Sequence, residues 1–169
     1  MIGPEHTRLM AAYNRWQNDN IFAAADGLSA DDRTADQGAF FGSIEATLNH
    51  LLWADKIWMS RFTDRPAPAS PDIKSSVLET ESWDRLKTER MAMDQEIIDW
   101  TAAMSADRLH GDLSWFSGAT GRNITKPFWL LVTHFFNHQT HHRGQIHAML
   151  TAKGARPGDT DLPFMPDTL

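Results

Sequence analysis

The sequence predicts an all-α protein, a four-helix bundle with a small hairpin or ordered loop before the last helix. Apolar side chains recur at helical spacing in four long segments. The proline-rich residues 65–71 cannot continue a helix, so they form the crossover between the second and third helices. Aromatic residues next to glycine turns in residues 111–125 predict the hairpin. The whole chain, residues 1–169, is expected to be one domain with enough interior for a core.

The first helix is predicted from about residue 5 to residue 25, where Asp26-Gly27 ends it. Ser29 is a capping residue followed by acidic residues, so it predicts a short helical turn. Residues 37–42 are interpreted as connecting chain. The helical spacing of the first segment is carried by Leu9, Tyr13, Trp16 and Ala23.

The second helix is predicted from about Ser43 to Phe62 and carries apolar residues on two sides. His50 lies off the main apolar stripe, but not on a solvated face. Asp55 lies inside that stripe, where an unpaired carboxylate would be costly. We therefore interpret it as the ion-pair partner of an arginine, Arg15 or Arg143, with a catalytic role as the alternative. The stripe consists of Ile44, Leu48, Leu51, Leu52, Trp58, Met59 and Phe62.

The third helix is predicted over residues 80–104 and is the most solvated of the four, because charges interrupt its apolar positions. Trp115 and Phe116 in the hairpin segment could cap the end of the bundle or line a pocket. The irregular tail after residue 154 contains apolar side chains that are expected to dock on the bundle or on a partner subunit. These are Leu162, Phe164 and Met165.

The last helix is predicted from Pro127 to Lys153, with Gly154 just after its end. Five of the eight histidines of the chain fall between residues 134 and 147. His138 and His142 are one turn apart on the inward side, where two imidazoles can converge on one metal ion. Hydrogen-bonded core histidines are the alternative.

Two further histidines in this helix favour the metal interpretation. His134 extends the same edge by one turn, and His141 is adjacent to the pair. Burying several imidazoles that share no ligand would be costly. His134 and His141 are also the candidates for proton transfer, with a hydrogen-bonding or surface role as the alternative. Gln145 lies on the same face and could orient a ligand, whereas Arg143 is expected to pair with a buried acid.

Composition excludes several classes of function. The chain has no cysteine, which rules out disulfides, zinc–thiolate sites and cysteine nucleophiles. Its net charge is −6, with 16 Lys and Arg against 22 Asp and Glu, and no basic stripe is visible, so nucleic-acid binding is not expected. We find neither a signal peptide nor an apolar run long enough to cross a membrane. A cytoplasmic location is therefore the expectation.

Four segments of the chain resemble the DinB/YfiT-like metalloenzyme family. The resemblance covers nearly the whole sequence, and its most specific part is the last helix. The matching segments are Tyr13-Asn14-Arg15-Trp16-Gln17-Asn18, Leu48-Asn49-His50-Leu51-Leu52-Trp53-Ala54-Asp55, Thr133 to Gln145, and Asp161-Leu162-Pro163-Phe164.

The resemblance implies a bundle with up-down-down-up topology and a divalent metal ion held by three residues. One ligand comes from the second helix and two, four residues apart, come from the last, which here are His50, His138 and His142. Three imidazoles leave a coordination position open, as in catalytic zinc sites. All-histidine sites suit zinc or nickel best in our interpretation, with iron and copper as alternatives. Ordinary imidazoles titrate near 6.5, so metal binding is expected to weaken from about pH 6 to about pH 5.

The resemblance also implies a class of function. It favours a metal-dependent enzyme of the thiol-dependent transferase, isomerase or hydrolase type. Its partners would be a small-molecule substrate, a low-molecular-weight thiol and a second copy of the chain in a homodimer. Trp53 could wall the substrate pocket, although packing is an equal alternative. A non-catalytic metalloprotein, in which the ion stabilises the bundle, is the alternative function.

Overall fold

The computed structural model describes residues 2–118 and 120–167, and this part of the chain is mostly helical. It contains six α-helices and one two-stranded antiparallel sheet. The long helices are α1 (Pro4–Asp26), α3 (Ile44–Phe62), α4 (Trp83–Ala102) and α6 (Phe128–Ala152). The short ones are α2 (Ala30–Thr34) and α5 (Ala106–His110). None of these described helices has the length and apolarity needed to cross a membrane.

The long helices pack around one apolar core. Helix α1 contacts α4 and α6, and α3 contacts the same two helices. Burying large side chains between them supplies the main favourable term in folding. The largest fully buried residues come from all four helices and include Ile21, Leu48, Leu52, Leu86, Ile97, Phe128, Phe135 and Ile146.

Serine caps determine where four helices begin. The hydroxyls of Ser29, Ser43, Ser82 and Ser105 each accept a hydrogen bond from a backbone N–H in the following turn. The predicted turn after Ser29 is present as α2. Because Ser82 is the cap, α4 begins at Trp83 rather than near residue 80. Helix α5 was not predicted, because five residues are too few to show helical spacing.

Helix α6 is one residue shorter at each end than predicted, because it begins at Phe128 and ends at Ala152. Gly154 has a φ of 80°. The N–H of Ala155 donates to the carbonyl of Leu150 over 3.0 Å, which completes a Schellman motif. Pro127 is the last residue of a strand instead of the first of the helix. The N–H of Phe128 donates to the carbonyl of Gly111 over 2.8 Å, which holds this junction.

The predicted hairpin is present directly before α6. Strand β1 (Asp112–Ser117) pairs with β2 (Arg122–Pro127), and Trp115 lies opposite Ile124. Phe116 points to solvent, with 65% of its surface exposed. The ring of Trp115 packs against Trp58 of α3 with 5.8 Å between centroids. The hairpin therefore places one aromatic side chain on the second long helix.

The crossover and the tail both pack on the long helices. After the proline-rich segment, a short 3₁₀ helix (Ser75–Leu78) lies against α3. The hydroxyl of Tyr13 donates to the carbonyl of Thr160 over 2.7 Å, so the tail is tied to α1 through its backbone. Leu162 and Phe164, which were expected to dock, remain exposed. The tail therefore contacts the bundle through its backbone, and of the three apolar residues expected to dock only Met165 is half-buried.

Candidate metal centre

Helix α6 presents two histidines to the same point. His138 and His142 are one turn apart, and their ring centroids are 4.5 Å from each other. His142 is buried, and His138 is half-buried. The apolar face of α6 determines this orientation, because Phe135, Ile146 and Met149 are buried in the core on the same side of the helix. The predicted inward pair is therefore present.

Helix α3 brings a third imidazole to this pair. His50 is 3% exposed, and its ring centroid lies 5.5 Å from that of His138 and 5.0 Å from that of His142. Each of the three rings offers one nitrogen, and these nitrogens all lie within 4.8 Å of one another. One shared ion needs these nitrogens within about 4.2 Å of one another, so small movements of the rings would let all three bind it. The three predicted residues thus form a group that could hold a metal ion.

Hydrogen bonds to Nδ1 fix the tautomers of two rings. Nδ1 of His50 lies 2.8 Å from Oγ of Ser76, which donates its own proton to the carbonyl of Ile73 over 2.6 Å. Nδ1 of His142 lies 2.8 Å from Oε1 of Gln145. Both oxygens act as acceptors, so both Nδ1 atoms carry the hydrogen and both Nε2 atoms keep a lone pair. A hydrogen-bonded second ring nitrogen is the usual support of a metal-binding histidine.

The environment keeps these rings neutral. Burial, reinforced by the neighbouring His142, lowers the pKa of His50 to about 4. Burial and the adjacent histidines lower the pKa of His138 to about 3. Burial also lowers the pKa of His142, against the opposing effect of the hydrogen bond that its Nδ1 donates to Gln145. Metal ligands must be deprotonated, so proton competition begins below the interval of about pH 6 to 5 that ordinary imidazoles would give.

A cavity of about 920 Å³ opens beside the three histidines. Phe41 covers one side, with its ring stacked on His50 at 3.9 Å between centroids. Trp53 forms part of the wall and is held by a hydrogen bond of 2.7 Å from Nε1 to the carbonyl of Ser70. Pockets of this size with apolar walls and a few polar groups are typical small-molecule sites. Other lining residues are Ile57, Trp58, Arg61, Lys74 and His134.

The two candidate proton-transfer histidines have different positions. His134 lines the cavity, and its ring lies 5.8 Å from that of His138. Burial, followed by the charge of Arg61, lowers the pKa of His134. His141 is exposed and does not line the cavity; it approaches Gln145, with 3.4 Å between the two Nε2 atoms. Only His134 can therefore meet a molecule bound in the cavity directly.

Asp55 belongs to a buried ion pair next to the site, but with a different arginine from those expected. Its carboxylate lies 2.5 Å from the guanidinium of Arg90 in α4, and it also accepts a hydrogen bond of 2.8 Å from Gln139. Arg143 donates instead to the amide oxygen of Asn14 and to Thr140. The predicted burial is confirmed, and the predicted partners, Arg15 and Arg143, are wrong.

Sequence reasoning missed Phe41 and Ser76. Phe41 lies in a tight loop that a bridge between Ala39 and Gly42 closes, and Gly42 has a φ of 79°. The two phenylalanines between Gly38 and Gly42 are the sequence feature that could have indicated an aromatic residue at the site. Ser76 is fully buried on the 3₁₀ helix, and its position in the sequence carries no signal of that kind.

Comparison with known proteins gives one family and one related fold. The model of the family described as "DinB family" matches residues 4–168. The crystal structure of a DinB-like protein from Bacillus cereus ATCC 10987 has a similar fold, with a TM-score of 0.52. It is 17% identical, and the likeness covers 86% of this chain and 91% of that chain. No protein of curated function matches.

Proposed function

The chain belongs to the DinB family, and we propose that it is a metal-dependent enzyme whose divalent ion is held by His50, His138 and His142. The observation that carries this proposal is the convergence of three imidazole nitrogens within 4.8 Å beside a cavity of about 920 Å³. Within residues 2–118 and 120–167, no carboxylate belongs to this group of candidate metal ligands. A three-histidine ligand set leaves room for substrate, which is the arrangement of catalytic zinc sites.

The donor set fits a borderline metal ion. Three neutral imidazoles suit zinc or nickel, with iron or copper as alternatives, and they suit magnesium or calcium poorly. Such an ion supplies Lewis-acid chemistry, which polarises a carbonyl or activates water or a thiol. The lowered pKa values of His50 and His138 support the fit, because the ligands need lose no proton at neutral pH.

The other residues of the site bind, orient and exclude water. Ser76 and Gln145 hold the rings of His50 and His142 with Nε2 available. Phe41 and Trp53 shield the imidazoles from solvent and provide apolar contacts for a substrate. His134, which lines the cavity and is neutral at pH 7 through its lowered pKa, accepts or returns the proton of the reacting molecule.

In this proposal the co-substrate is a low-molecular-weight thiol. The DinB resemblance favours thiol-dependent transfer, isomerisation or hydrolysis of a small molecule. The chain contains no cysteine, so a thiol nucleophile has to come from solution. The cavity of about 920 Å³ has room for both a thiol and an acceptor molecule.

Two structural proposals accompany this function. The long helices are proposed to form an up-down-down-up four-helix bundle, which the contacts of α1 and of α3 with both α4 and α6 support. The chain is also proposed to form a homodimer, which the exposed Leu162 and Phe164 of the tail support. Light scattering of the wild type and of a Phe164→Ser variant tests the dimer.

A second candidate function is a non-catalytic metalloprotein. It is favoured by the origin of the ligands on two different helices, because an ion bound to His50 of α3 and His142 of α6 would cross-link them. The size of the adjacent cavity favours the enzyme. Removing the ion distinguishes the two candidate functions. An ion that cross-links the helices would be needed for folding, whereas a catalytic ion would not.

The experiment combines metal analysis with a thiol-conjugation screen. Protein purified without added metal is analysed for bound ions, and metal-loaded protein is then incubated with a thiol and a panel of electrophiles. We expect metal-dependent loss of free thiol, which chelation and a His138→Ala variant abolish and a His147→Ala control leaves unchanged. Equal turnover by the metal-free protein would overturn the proposal. Loss of helical circular dichroism on chelation, without turnover, would favour the second candidate.

A further inference from the structure

Arg61 extends the cavity beyond the histidines. It lies in the last turn of α3 and lines the same cavity as His50, His138 and His142. Its guanidinium carbon lies 4.5 Å from the ring centroid of Trp58 and 5.6 Å from that of Trp115. The two indoles hold the guanidinium by cation–π contacts and leave its N–H groups to other acceptors.

This guanidinium has no acidic partner in the described parts of the chain, residues 2–118 and 120–167. No carboxylate oxygen there lies within 4.0 Å of it, whereas Lys56, Arg65 and Arg90 all form ion pairs. No hydrogen bond in that part of the chain has it as donor. Burial of the side chain also lowers the pKa of Arg61.

Positive charges outnumber negative ones around the cavity. Arg61 and Lys74 line it, and among the described residues Asp72 is the one acidic side chain in its wall. The carboxylate of Asp72 already accepts bonds of 2.8 Å from the N–H and from the hydroxyl of Ser75. The three histidines are neutral, so they do not offset the positive charges of Arg61 and Lys74. The cavity is therefore suited to an anion before any metal ion is bound.

The rest of the lining is apolar and continuous with the imidazoles. Trp58 lies between the two ends, because its ring is 4.5 Å from Arg61 and 5.1 Å from the ring of His134. Phe41, Trp53 and Ile57 form further walls. A ligand that reaches from Arg61 to His138 would place an apolar body along these side chains.

We propose that the cavity binds a small organic anion, with its carboxylate on the guanidinium of Arg61 and an apolar body along Trp58. The planar fork of arginine matches a carboxylate with two parallel hydrogen bonds. The placement of the other end of this anion next to His50, His138 and His142 rests on the proposed function. The binding of its carboxylate by Arg61 does not depend on that function, and it can be measured in metal-free protein.

The test uses two probes of equal shape and different charge. Binding of 3-phenylpropionate and of 3-phenylpropanamide to chelator-treated full-length protein is followed by tryptophan fluorescence and calorimetry. We expect the carboxylate to bind about tenfold to a hundredfold more tightly than the amide. Arg61→Gln should remove this preference, and Arg61→Lys should retain part of it. Arg108→Gln is the matched control, because Arg108 also lies over an aromatic ring, that of Phe128, but outside the cavity.

Three results would overturn the inference: equal binding of the two probes, an unchanged preference in folded Arg61→Gln, or no binding of either probe at millimolar concentration. Far-UV circular dichroism establishes that each variant is folded. A charge preference that depends on Arg61 in protein that binds no metal would support the anion site and count only against the metal proposal.

Discussion

The hydroxyl of Ser76 lies 2.8 Å from Nδ1 of His50, and the two residues come from different elements, the 3₁₀ helix after the crossover and α3. Because the hydroxyl donates its proton to Ile73, it must accept from the imidazole. This contact selects the tautomer with Nε2 unprotonated. The crossover thereby orients one of the three candidate ligands.

Removing this hydroxyl should weaken metal binding without removing a ligand. In Ser76→Ala we expect the zinc dissociation constant to rise about tenfold to a hundredfold, the usual effect of losing a hydrogen bond to a ligand. The measurement is a competition titration with a chromophoric chelator at neutral pH. Ser114→Ala, on the hairpin, is the control, because its exposed hydroxyl is hydrogen-bonded to Thr125, away from the three histidines. Unchanged affinity in a folded Ser76→Ala variant would mean that Ser76 does not orient His50.

Phe41 should control access to the site. Its ring covers His50, whereas the neighbouring Phe40 is 79% exposed. We expect Phe41→Ala to keep one ion per chain but to release it several-fold faster to excess chelator, because the apolar shell that excludes water is lost. Stopped-flow chelation measures this rate. Phe40→Ala serves as the neighbouring control, and equal rates in the two variants would contradict the covering role.

The sequence predicts the site residues that lie close together along the chain, but not those that only the folded chain brings together. His138 and His142 could be predicted as an inward pair, because helical spacing places residues four apart on one face. His50 was assigned as the third residue through the family resemblance, since no local pattern links α3 to α6. Phe41 and Ser76 reach the site from a loop and a 3₁₀ helix, whose positions depend on the folded chain.

Asp55 shows the same limit for an ion pair. Its place in an apolar stripe predicted burial, which the structure confirms with 1% exposure. The stripe does not reveal which helix faces it. The contact of α3 with α4 supplies Arg90 as the partner, and only the assembled helices determine that contact.

Breaking this buried pair should cost stability and spare the candidate metal site. We expect Asp55→Asn to lower the free energy of unfolding by about 1–3 kcal/mol, because buried Arg90 loses one charged partner but keeps its ion pair with Asp94 at 2.9 Å. Urea denaturation measures the loss, and metal stoichiometry should remain that of the wild type. Asp26→Asn is the control, since its pair with Lys87 is surface-exposed and worth at most about 1 kcal/mol. Equal effects of the two substitutions would contradict the assignment.

The histidine cluster should make the metal-free protein acid-sensitive. The folded pKa values of His50 and His138 are about 4 and about 3. Unfolded histidines titrate near 6.5, so the unfolded state binds more protons between these values. The contribution of these rings to stability is therefore intact above about pH 6.5 and is lost as the pH falls through about 4.

A double variant isolates this effect from the titration of carboxylates. Urea denaturation in chelator at about pH 7 and about pH 5 gives the loss of stability over the interval. We expect a smaller loss in His50→Gln/His138→Gln than in the wild type, because the variant lacks the two rings. The same loss in both proteins would show that the rings titrate normally in the folded state.

The most direct measurement is the zinc stoichiometry of five proteins by equilibrium dialysis at neutral pH. They are the wild type, His50→Ala, His138→Ala, His142→Ala and, as the control on α6, His147→Ala. The three-histidine site predicts one ion per chain in the wild type and the control. It also predicts a loss of affinity in each of the other variants beyond the ~10–100-fold that a supporting hydrogen bond contributes. Full stoichiometry and affinity in His50→Ala, or no zinc in the wild type, would contradict it.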